Sequence, residues 1–480
     1  ESEIGTIFIS IINATHVSNG EYVCYVIDSS GTLHKFPLGK RPSSFTKNFA
    51  VCPNVDDGFS AGIFYVENNL PLLIAFSKSE DFNGSLQEMK KIVSERCLFE
   101  HKVAEKNLSE PPKPQPIKED FNKGKIIIVL GARQVGKTTL FDTIINNYDN
   151  VLKLNCDDYD DRLDLENKTS TELKNLIGNH KIVVIDEAQR VSNIGLTLKI
   201  IADLKLDTQV LVTGSSSLEL SSKINEPVTG RMFEYKLFPL SLAELANNTS
   251  QREETRLLEQ RMIYGLYPEI VTNTSDNKRL LSSLANNYLY KDLLSYQGIK
   301  KPEILHKLVR ALALQIGSEV SYNELSNLLG IDKETVESYI NLLEKCFVVF
   351  RLPSYSRNMR NEIKKGKKIY FYDNGIRNAL ISNFAPLEMR QDAGALWENF
   401  MISERMKRNT YLNDYSQLFF WRTQQQQEID LLEEKDGQLF AYEFKWNSKK
   451  KYKLPSSFES NYSNTEFKVI SRENFWEFVL

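Results

Sequence analysis

Cysteine is scarce in this chain, which has five cysteines among 480 residues. They are scattered, odd in number and contain no Cys-x-x-Cys pair: Cys24, Cys52, Cys97, Cys156 and Cys346. This usage excludes a disulfide framework and offers no zinc ligand set. We therefore expect a reducing compartment, the cytoplasm.

Long hydrophobic runs and an excess of charge are also missing. No apolar run approaches the ~20 residues needed to cross a bilayer, and the longest, such as Ile126 to Leu130, have the length of a strand. The 60 Lys and Arg against 63 Asp and Glu leave a formal charge of −3. This balance excludes a polycation that coats nucleic acid by charge alone, so only local charge bears on function. We expect no membrane partner.

Proline marks the clearest boundary in the chain. Before it, residues 1–104 are rich in β-branched residues and contain two candidate hairpins, at 22–36 and 62–75, followed by helical spacing at 86–98. Residues 105–124 then contain four prolines within six positions, which forbid a regular helix and favour an extended spacer. The sequence predicts a small α+β module without recognisable chemistry, and then a linker.

A glycine-rich loop follows the linker. The apolar run from Lys125 to Leu130 predicts a strand buried on both faces of a parallel sheet, and a predicted helix begins near Leu140. Between them lies the pattern G-x-x-x-x-G-K-[ST], whose glycines let backbone N–H groups surround phosphate oxygens at a helix N-terminus. The candidate nucleotide-binding residues are Gly131, Ala132, Arg133, Gln134, Val135, Gly136, Lys137, Thr138 and Thr139.

Each residue type in this loop suits a phosphate ligand. Lys137 would reach the β- and γ-phosphates of ATP, and the Thr138 hydroxyl would take one coordination position of Mg²⁺. Thr139 is expected to pack behind Thr138. The alternative is a glycine-rich turn between strand and helix with a solvated lysine, and the two flanking elements favour the phosphate site.

A second apolar run ends in two acids. Residues 181–185 predict another buried strand, and Asp186 and Glu187 follow at its carboxyl end. Asp186 would hold Mg²⁺, and Glu187 would orient and activate the attacking water. The adjacent pair predicts hydrolysis as well as binding, although an acid after a strand also commonly caps a helix.

Two further polar positions are candidates for the same site. The apolar strand at 209–212 ends in Thr213-Gly214-Ser215, and we select Ser215 to sense the γ-phosphate or position the water. A serine-rich turn that caps a helix is the alternative. Arg231 could neutralise transition-state charge from its own or a neighbouring subunit, or form a surface salt bridge.

These motifs carry a family resemblance. The runs GARQVGKTTL, VVIDEAQR, LVTGSSSLEL, GRMFEYKLFPLSLAEL and YGLYPEIV resemble archaeal and bacterial AAA-type P-loop ATPases with a C-terminal domain of unknown function. The resemblance begins at about Lys125 and extends to the C-terminus. It implies an α/β ATPase core at 125–245, a helical lid at 246–300, a winged helix at 301–375 and a restriction-endonuclease-like domain at 376–480.

Residue patterns independently predict the winged helix. Helical spacing at 302–316, a capping box at Ser321 and an N-cap at Asp332 precede two predicted strands, at 346–352 and 368–372. The connecting segment 357–368 carries six Lys or Arg against one Glu, which suits contact with a phosphate backbone. The third helix is acidic, however, so DNA binding and protein contact remain equal alternatives.

The last hundred residues contain a second candidate chemistry. Asp430 lies in a predicted strand, and Glu443 and Lys445 leave the same face of the next one, which resembles the PD-(D/E)xK nuclease signature. Asp430 and Glu443 would hold Mg²⁺, Lys445 would orient the water, and Glu398 would add a carboxylate from a helix. Ile429 replaces the usual proline before the first acid. Alternating charge is also common on an exposed strand.

Two interpretations of the whole chain therefore remain open. In the first, ATP hydrolysis with Mg²⁺ drives a switch whose C-terminal domains act on DNA, with or without cutting it. In the second, those domains are an inert platform for an unknown protein partner. The sequence gives no oligomeric state.

Overall fold

The computed structural model divides into two compact units, Glu1–Ser109 and Glu110–Leu480. In the first unit it describes the backbone of six strands. In the second it describes residues 117, 119–214, 228–273, 276–288, 301–356, 366–423, 425–447, 452–462 and 464–480. Within these residues, no helix is long and apolar enough to cross a membrane.

The first unit contains one six-stranded sheet in the order β3-β2-β1-β6-β5-β4. Both expected hairpins are present as antiparallel pairs, β2 with β3 and β5 with β6, whereas β1 and β6 are parallel. The helix predicted at 86–98 lies outside the described residues. The strands are β1 Ile9–Asn13, β2 Glu21–Ile27, β3 Leu33–Lys40, β4 Phe49–Val51, β5 Phe59–Tyr65 and β6 Pro71–Ser77.

The second unit begins with a parallel five-stranded sheet in the order β11-β7-β10-β9-β8. Its central strands are the apolar runs predicted from the sequence, and β7 and β10 are buried along their whole length. The strand that precedes the glycine loop and the strand that ends in Asp186 are separated by β10 alone. The strands are β7 Ile126–Gly131, β8 Val151–Asn155, β9 Ile182–Asp186, β10 Gln209–Gly214 and β11 Met232–Leu237.

Helices α1–α4 belong to this sheet domain, and the chain before β7 also packs on it. Ile117 is buried against the sheet, and Asp120 accepts a hydrogen bond from the hydroxyl of Tyr235. The linker was predicted to extend to residue 124, but Ile117 and Asp120 already belong to the packed domain. The helices are α1 Lys137–Ile145, α2 Tyr159–Leu165, α3 Ser170–Ile177 and α4 Ile194–Asp203, with a 3₁₀ turn at Ala188–Arg190.

Helices α5–α8 follow, where the resemblance implied a lid. Helices α6 and α8 pack against α12, a helix that lies beyond the predicted winged helix. A single apolar core therefore joins this region to the residues that follow it. The helices are α5 Leu242–Asn248, α6 Gln251–Tyr264, α7 Pro268–Thr272, α8 Asn277–Tyr288 and α12 Asn374–Leu380.

Three helices and a three-stranded antiparallel sheet lie between α8 and α12. Both predicted N-caps are present: Ser321 accepts from the N–H of Glu324, and Asp332 accepts from the N–H of Thr335. The basic residues 357–365 lie outside the described part of the chain. The elements are α9 Pro302–Leu314, β12 Glu319–Val320, α10 Tyr322–Leu329, α11 Lys333–Lys345, β13 Val349–Pro353 and β14 Lys367–Phe371, with the sheet order β12-β14-β13.

The C-terminal part is a four-stranded sheet, in the order β15-β16-β17-β18, with the long helix α13 packed on it. The first three strands are antiparallel and the last pair is parallel. The elements are α13 Ala393–Tyr411, β15 Gln417–Arg422, β16 Glu428–Lys435, β17 Gln438–Phe444, α14 Ser456–Glu459, β18 Thr465–Ile470 and α15 Trp476–Val479, with a 3₁₀ turn at Leu387–Met389 before α13.

Candidate functional site

The glycine loop connects β7 to α1 and folds around its own lysine. Lys137 is 5% exposed, and its Nζ donates to the carbonyl oxygens of Gly131 and Ala132 at 3.0 and 2.8 Å. Gly136 is the N-cap of α1 and has φ 97°, a left-handed conformation that favours glycine. The loop therefore directs the lysine and the helix N-terminus to the same place, as a phosphate site requires.

Gly131 is required for a different reason, the close approach of another strand. A Cβ at this position would lie 2.2 Å from the carbonyl oxygen of Leu237, the last residue of β11. Only a residue without a side chain fits there. The first residue of the phosphate loop is thus in direct contact with the end of β11.

Three side chains meet where β9 and β10 end. The Thr138 hydroxyl donates to Asp186 Oδ2 at 2.8 Å, which joins the start of α1 to the end of β9. Thr213, the penultimate residue of β10, donates to Asp186 Oδ1 and accepts from the N–H of Glu187 at 3.0 Å. Parallel neighbouring strands bring their carboxyl ends to one edge, which is why residues 138, 186 and 213 come together.

Glu187 has φ 52° at the turn that follows β9, and this unusual conformation sets the direction of its side chain. Its carboxylate accepts from Nε2 of Gln189, which is 6% exposed. The sequence did not indicate Gln189. It now appears beside the predicted base because the 3₁₀ turn brings residue 189 back over residue 187.

The hydroxyl of Thr138 and the carboxylate of Asp186 suit Mg²⁺. This ion prefers oxygen ligands and is usually bound by one or two protein oxygens, with water and phosphate oxygens completing its shell. The 2.8 Å hydrogen bond shows that the two oxygens can share one ion. The residues present therefore fit Mg²⁺ with a bound nucleotide triphosphate.

The other predicted loop residues differ in accessibility. Ala132 and Val135 are buried, Arg133 is partly exposed, and Gln134 is exposed with φ 59°. Thr139 is exposed too, so the expectation that it packs behind Thr138 is wrong. Ser215 lies outside the described residues. The sequence prediction ended the strand at residue 212 and selected Ser215 from the polar residues that follow, whereas the observed strand includes Thr213 and directs that side chain to the site.

Arg231 lies at the opposite edge of the sheet from the phosphate loop. It precedes β11, and its carbonyl oxygen accepts from the N–H of Ile126 at the start of β7. Five residues of strand, about 17 Å, separate this point from Gly131. Arg231 forms a half-exposed ion pair with Asp203 at 2.7 Å. The expectation that it reaches the phosphate site of its own chain is therefore wrong.

The candidate C-terminal residues do come together. The register of β16 and β17, with Leu431 opposite Tyr442, places Asp430 beside Glu443. Lys445 Nζ lies 2.6 Å from Glu443 Oε1 and 3.8 Å from Asp430 Oδ2. Burial raises the pKa of both carboxyls, and the charge of Asp430 raises that of Glu443 further.

Glu398 projects from α13 toward the same place but is engaged by residues of β14. Its Oε1 accepts from Lys368 Nζ at 2.9 Å and from the Tyr370 hydroxyl at 2.6 Å. Burial, together with the Asp430 carboxylate, raises the pKa of Glu398 to about 7, although Lys368 opposes the shift. The expectation that Glu398 adds a free carboxylate for a metal is contradicted by these contacts.

Lys368 contacts a further acid, Glu428 of β16. We name Glu398, Glu428, Asp430 and Glu443 the acidic cluster. Among the residues that the structure describes, no three His, Cys, Asp or Glu side chains are grouped as a metal site. Because lysine ammonium groups lie against these carboxylates, the cluster as arranged does not fit Mg²⁺. Lys368 is the last residue of the basic segment 357–368, for which contact with a phosphate backbone was one of two alternatives, and its burial removes it from such a contact.

Three family profiles match successive parts of the chain. Residues 123–246 match the family described as AAA domain. Residues 255–387 and 393–474 match two domains of unknown function, DUF8612 and DUF4143. The first match agrees with the glycine loop and the parallel sheet. This part of the chain has an α/β fold whose parallel five-stranded sheet matches a P-loop NTPase core.

The chain is similar to proteins that are themselves uncharacterized. One, from Mycobacterium tuberculosis, is 25% identical over 342 residues, which cover 69% of this chain and 73% of the relative. Another, from Methanocaldococcus jannaschii, is 25% identical over 371 residues, covering 71% and 80%. A solved Walker-type ATPase of Pyrococcus abyssi is 16% identical and has a TM-score of 0.42, covering 56% of this chain and 96% of that one.

Proposed function

We propose that the protein binds and hydrolyses ATP with Mg²⁺. The observation that carries the proposal is the hydrogen bond between Thr138 and Asp186, because it joins the phosphate loop to the acid of the neighbouring motif. Lys137 and the loop N–H groups bind the phosphates, and Thr138 and Asp186 hold the metal. Bound Mg²⁺ neutralises phosphate charge.

Glu187 is the proposed base that orients and deprotonates the attacking water. Thr213 fixes the backbone N–H of Glu187 and an oxygen of Asp186, so the base and the metal ligand are positioned by one buried side chain. Gln189 orients the carboxylate of Glu187 through its own contact.

We further propose that hydrolysis is coupled to the C-terminal domain through α13. The segment after β11 is attached to that helix by three hydrogen bonds: Phe238 N–H to the Tyr411 hydroxyl, Lys407 Nζ to Leu240 oxygen, and Leu242 N–H to Glu404. The end of β11 in turn contacts Gly131 of the phosphate loop. If nucleotide displaces the phosphate loop, these contacts transmit the displacement through the end of β11 to α13. Glu398 lies on the same helix.

Steady-state hydrolysis with separate nucleotide binding tests the ATPase proposal. Glu187→Gln should keep ATP bound and lower kcat by about 10²–10⁴-fold, since only the base role is removed. Lys137→Ala should lose both binding and turnover. Equal hydrolysis by wild type and Glu187→Gln would remove Glu187 from the mechanism.

For the C-terminal domains, the ion-paired acidic cluster favours a platform for a protein partner over metal-dependent cleavage of DNA. A winged-helix and nuclease-like pair that acts on DNA is the competing proposal. Gel-shift and cleavage assays with Mg²⁺ separate the two, and stimulation of ATP hydrolysis by DNA would favour the competing one. Cleavage that disappears in Glu443→Ala would overturn the platform.

A further inference from the structure

A buried lysine of the three-stranded sheet lies between a carboxylate of helix α13 and a carboxylate of the C-terminal sheet. Lys368 belongs to β14, and its side chain is 1% exposed. Its Nζ lies 2.9 Å from Glu398 Oε1 on α13 and also contacts Glu428 on β16. Burial disfavours the charged ammonium, but the carboxylates of Glu398, Glu428 and Asp430 outweigh it and raise the pKa of Lys368.

The backbone of β14 fixes the position of this ammonium group. Lys368 and Tyr370 are two residues apart on the strand, so both side chains leave the same face, and both donate to one oxygen of Glu398. The ring of Phe420 lies 5.6 Å from Nζ. Strand β14 is itself paired on both sides, with β12 and with β13. Lys368 is therefore held at the cluster by the sheet to which it belongs.

Charge balance explains why a cation is needed. The acidic cluster contains four carboxylates that are at most 28% exposed, and buried charges are retained only when they are paired. Lys445, which directly follows β17, pairs with Glu443 of that strand and with Asp430 of the neighbouring strand β16. Arg422 of β15 lies 3.6 Å from Glu428 Oε2. Lys368 supplies a further positive charge from a different sheet.

We propose that Lys368 is the resident cation of the acidic cluster: its Nζ lies between Glu398 and Glu428, where it keeps a divalent metal out of the cluster, and it fixes β14 to α13 and β16. The cluster then joins two sheets of the protein and carries no metal chemistry. This inference rests on the platform proposal for residues 302–480 and is independent of the ATPase proposal.

Mn²⁺ binding to the full chain without nucleotide, followed by electron paramagnetic resonance, tests the inference. Wild type should bind no Mn²⁺ that is sensitive to Asp430→Asn. Lys368→Met should gain one bound Mn²⁺ per chain, with affinity raised by about tenfold or more, and Lys368→Met/Asp430→Asn should lose it. Lys367→Met is the matched control, since it removes the same charge from the adjacent residue, whose Nζ lies over the Tyr322 ring instead.

Two results would overturn the inference. Wild-type binding of Mn²⁺ that Asp430→Asn abolishes would show that the cluster is open to metal. A folded Lys368→Met that gains no Mn²⁺ beyond the Lys367→Met control would show that the lysine does not keep metal out of the cluster.

A second variant keeps the test valid if Lys368→Met unfolds. Lys368→Gln removes the charge but keeps a hydrogen-bond donor for Glu398, and it should also gain Mn²⁺ that raises its Tm. Cleavage assays on the same proteins identify which proposal fails. Cleavage by wild type overturns the platform as well, whereas Mn²⁺ binding by wild type without cleavage overturns the resident-cation inference alone.

Discussion

The Thr213 hydroxyl donates to the Asp186 carboxylate, and the same oxygen accepts the backbone N–H of Glu187. Thr213 is fully buried, and its strand lies between the strands that carry the phosphate loop and Asp186. One threonine therefore sets the relative positions of the proposed metal ligand and the proposed base.

Thr213→Val should lower kcat about 10–100-fold with little change in KM, because the base and the metal ligand lose their common anchor while the phosphate loop is intact. It should also lower the free energy of unfolding by about 1–3 kcal/mol, since Asp186 and the Glu187 N–H lose a buried partner. Thr213→Ser keeps the hydroxyl and should restore kcat. Wild-type kcat in Thr213→Val would contradict the positioning role.

Glu404 and Lys407 form a buried pair at the junction with α13, 2.8 Å apart and each 2% exposed. Lys407→Met should lower the free energy of unfolding by about 3–5 kcal/mol in urea denaturation, because it leaves the Glu404 charge buried and unpaired. The double variant Lys407→Met/Glu404→Gln should recover part of this loss.

The exposed pair of Lys153 and Asp142 provides the control for that experiment, since its side chains are 59% and 53% exposed. Lys153→Met should change stability by less than about 1 kcal/mol. Equal effects of Lys153→Met and Lys407→Met on the free energy of unfolding would show that the buried junction pair stabilises the fold no more than an exposed ion pair does.

We expect the free energy of unfolding to fall as pH rises through neutrality, because Glu244 loses a proton that the folded state holds. Burial raises its pKa to about 7; hydrogen bonds from Ser241 and the charge of Lys407 oppose this, and Glu404 adds to it. The folded state then holds the proton more tightly than the unfolded state, so the stability present below pH ~4.5 is lost by pH ~8. The shift corresponds to about 3 kcal/mol.

Glu244→Gln tests this without breaking the capping box at Ser241, because glutamine also fits the motif. Its stability relative to wild type should rise with pH between 4.5 and 8 in chemical denaturation. Glu172 caps α3 in the same way, but hydrogen bonds from Thr169 lower its pKa. Glu172→Gln should instead lose stability relative to wild type as pH rises toward ~4.5 and should change little above that pH. A rise between pH 4.5 and 8 in both variants would refute the assignment.

A chain that begins at Glu110 should fold and hydrolyse ATP, whereas one that begins at Lys125 should be less stable. The second truncation removes buried Ile117, worth about 2 kcal/mol, and the contacts of Asp120 with Tyr235 and of Asn122 N–H with Gln209 Oε1 at 2.9 Å. Thermal unfolding of the two truncations provides the comparison. Identical Tm values would place the domain boundary at Lys125, as the prolines alone suggested.

Local sequence was sufficient to predict the glycine loop, the strands on either side of the proposed nucleotide site and most elements of the fold. The strands before Gly131 and Asp186 were predictable because a strand buried on both faces must be apolar throughout, and the phosphate loop because its geometry requires glycine at fixed spacing. The N-caps at Ser321 and Asp332 were predictable for a similar reason, since a cap is made by residues three apart.

Contacts between distant segments were not predictable in this way. Arg231 looked equally suited to the phosphate site or to a surface ion pair, and the parallel register, which starts β11 beside Ile126, decided between them. Lys368 stood at the junction of a basic segment and a predicted strand, and only the fold placed β14 beside α13 and β16. Residue types and spacing determined which chemistry the proposed ATP site could carry. Only the tertiary structure decided which charges meet, because electrostatic pairing depends on distance in space and not along the chain.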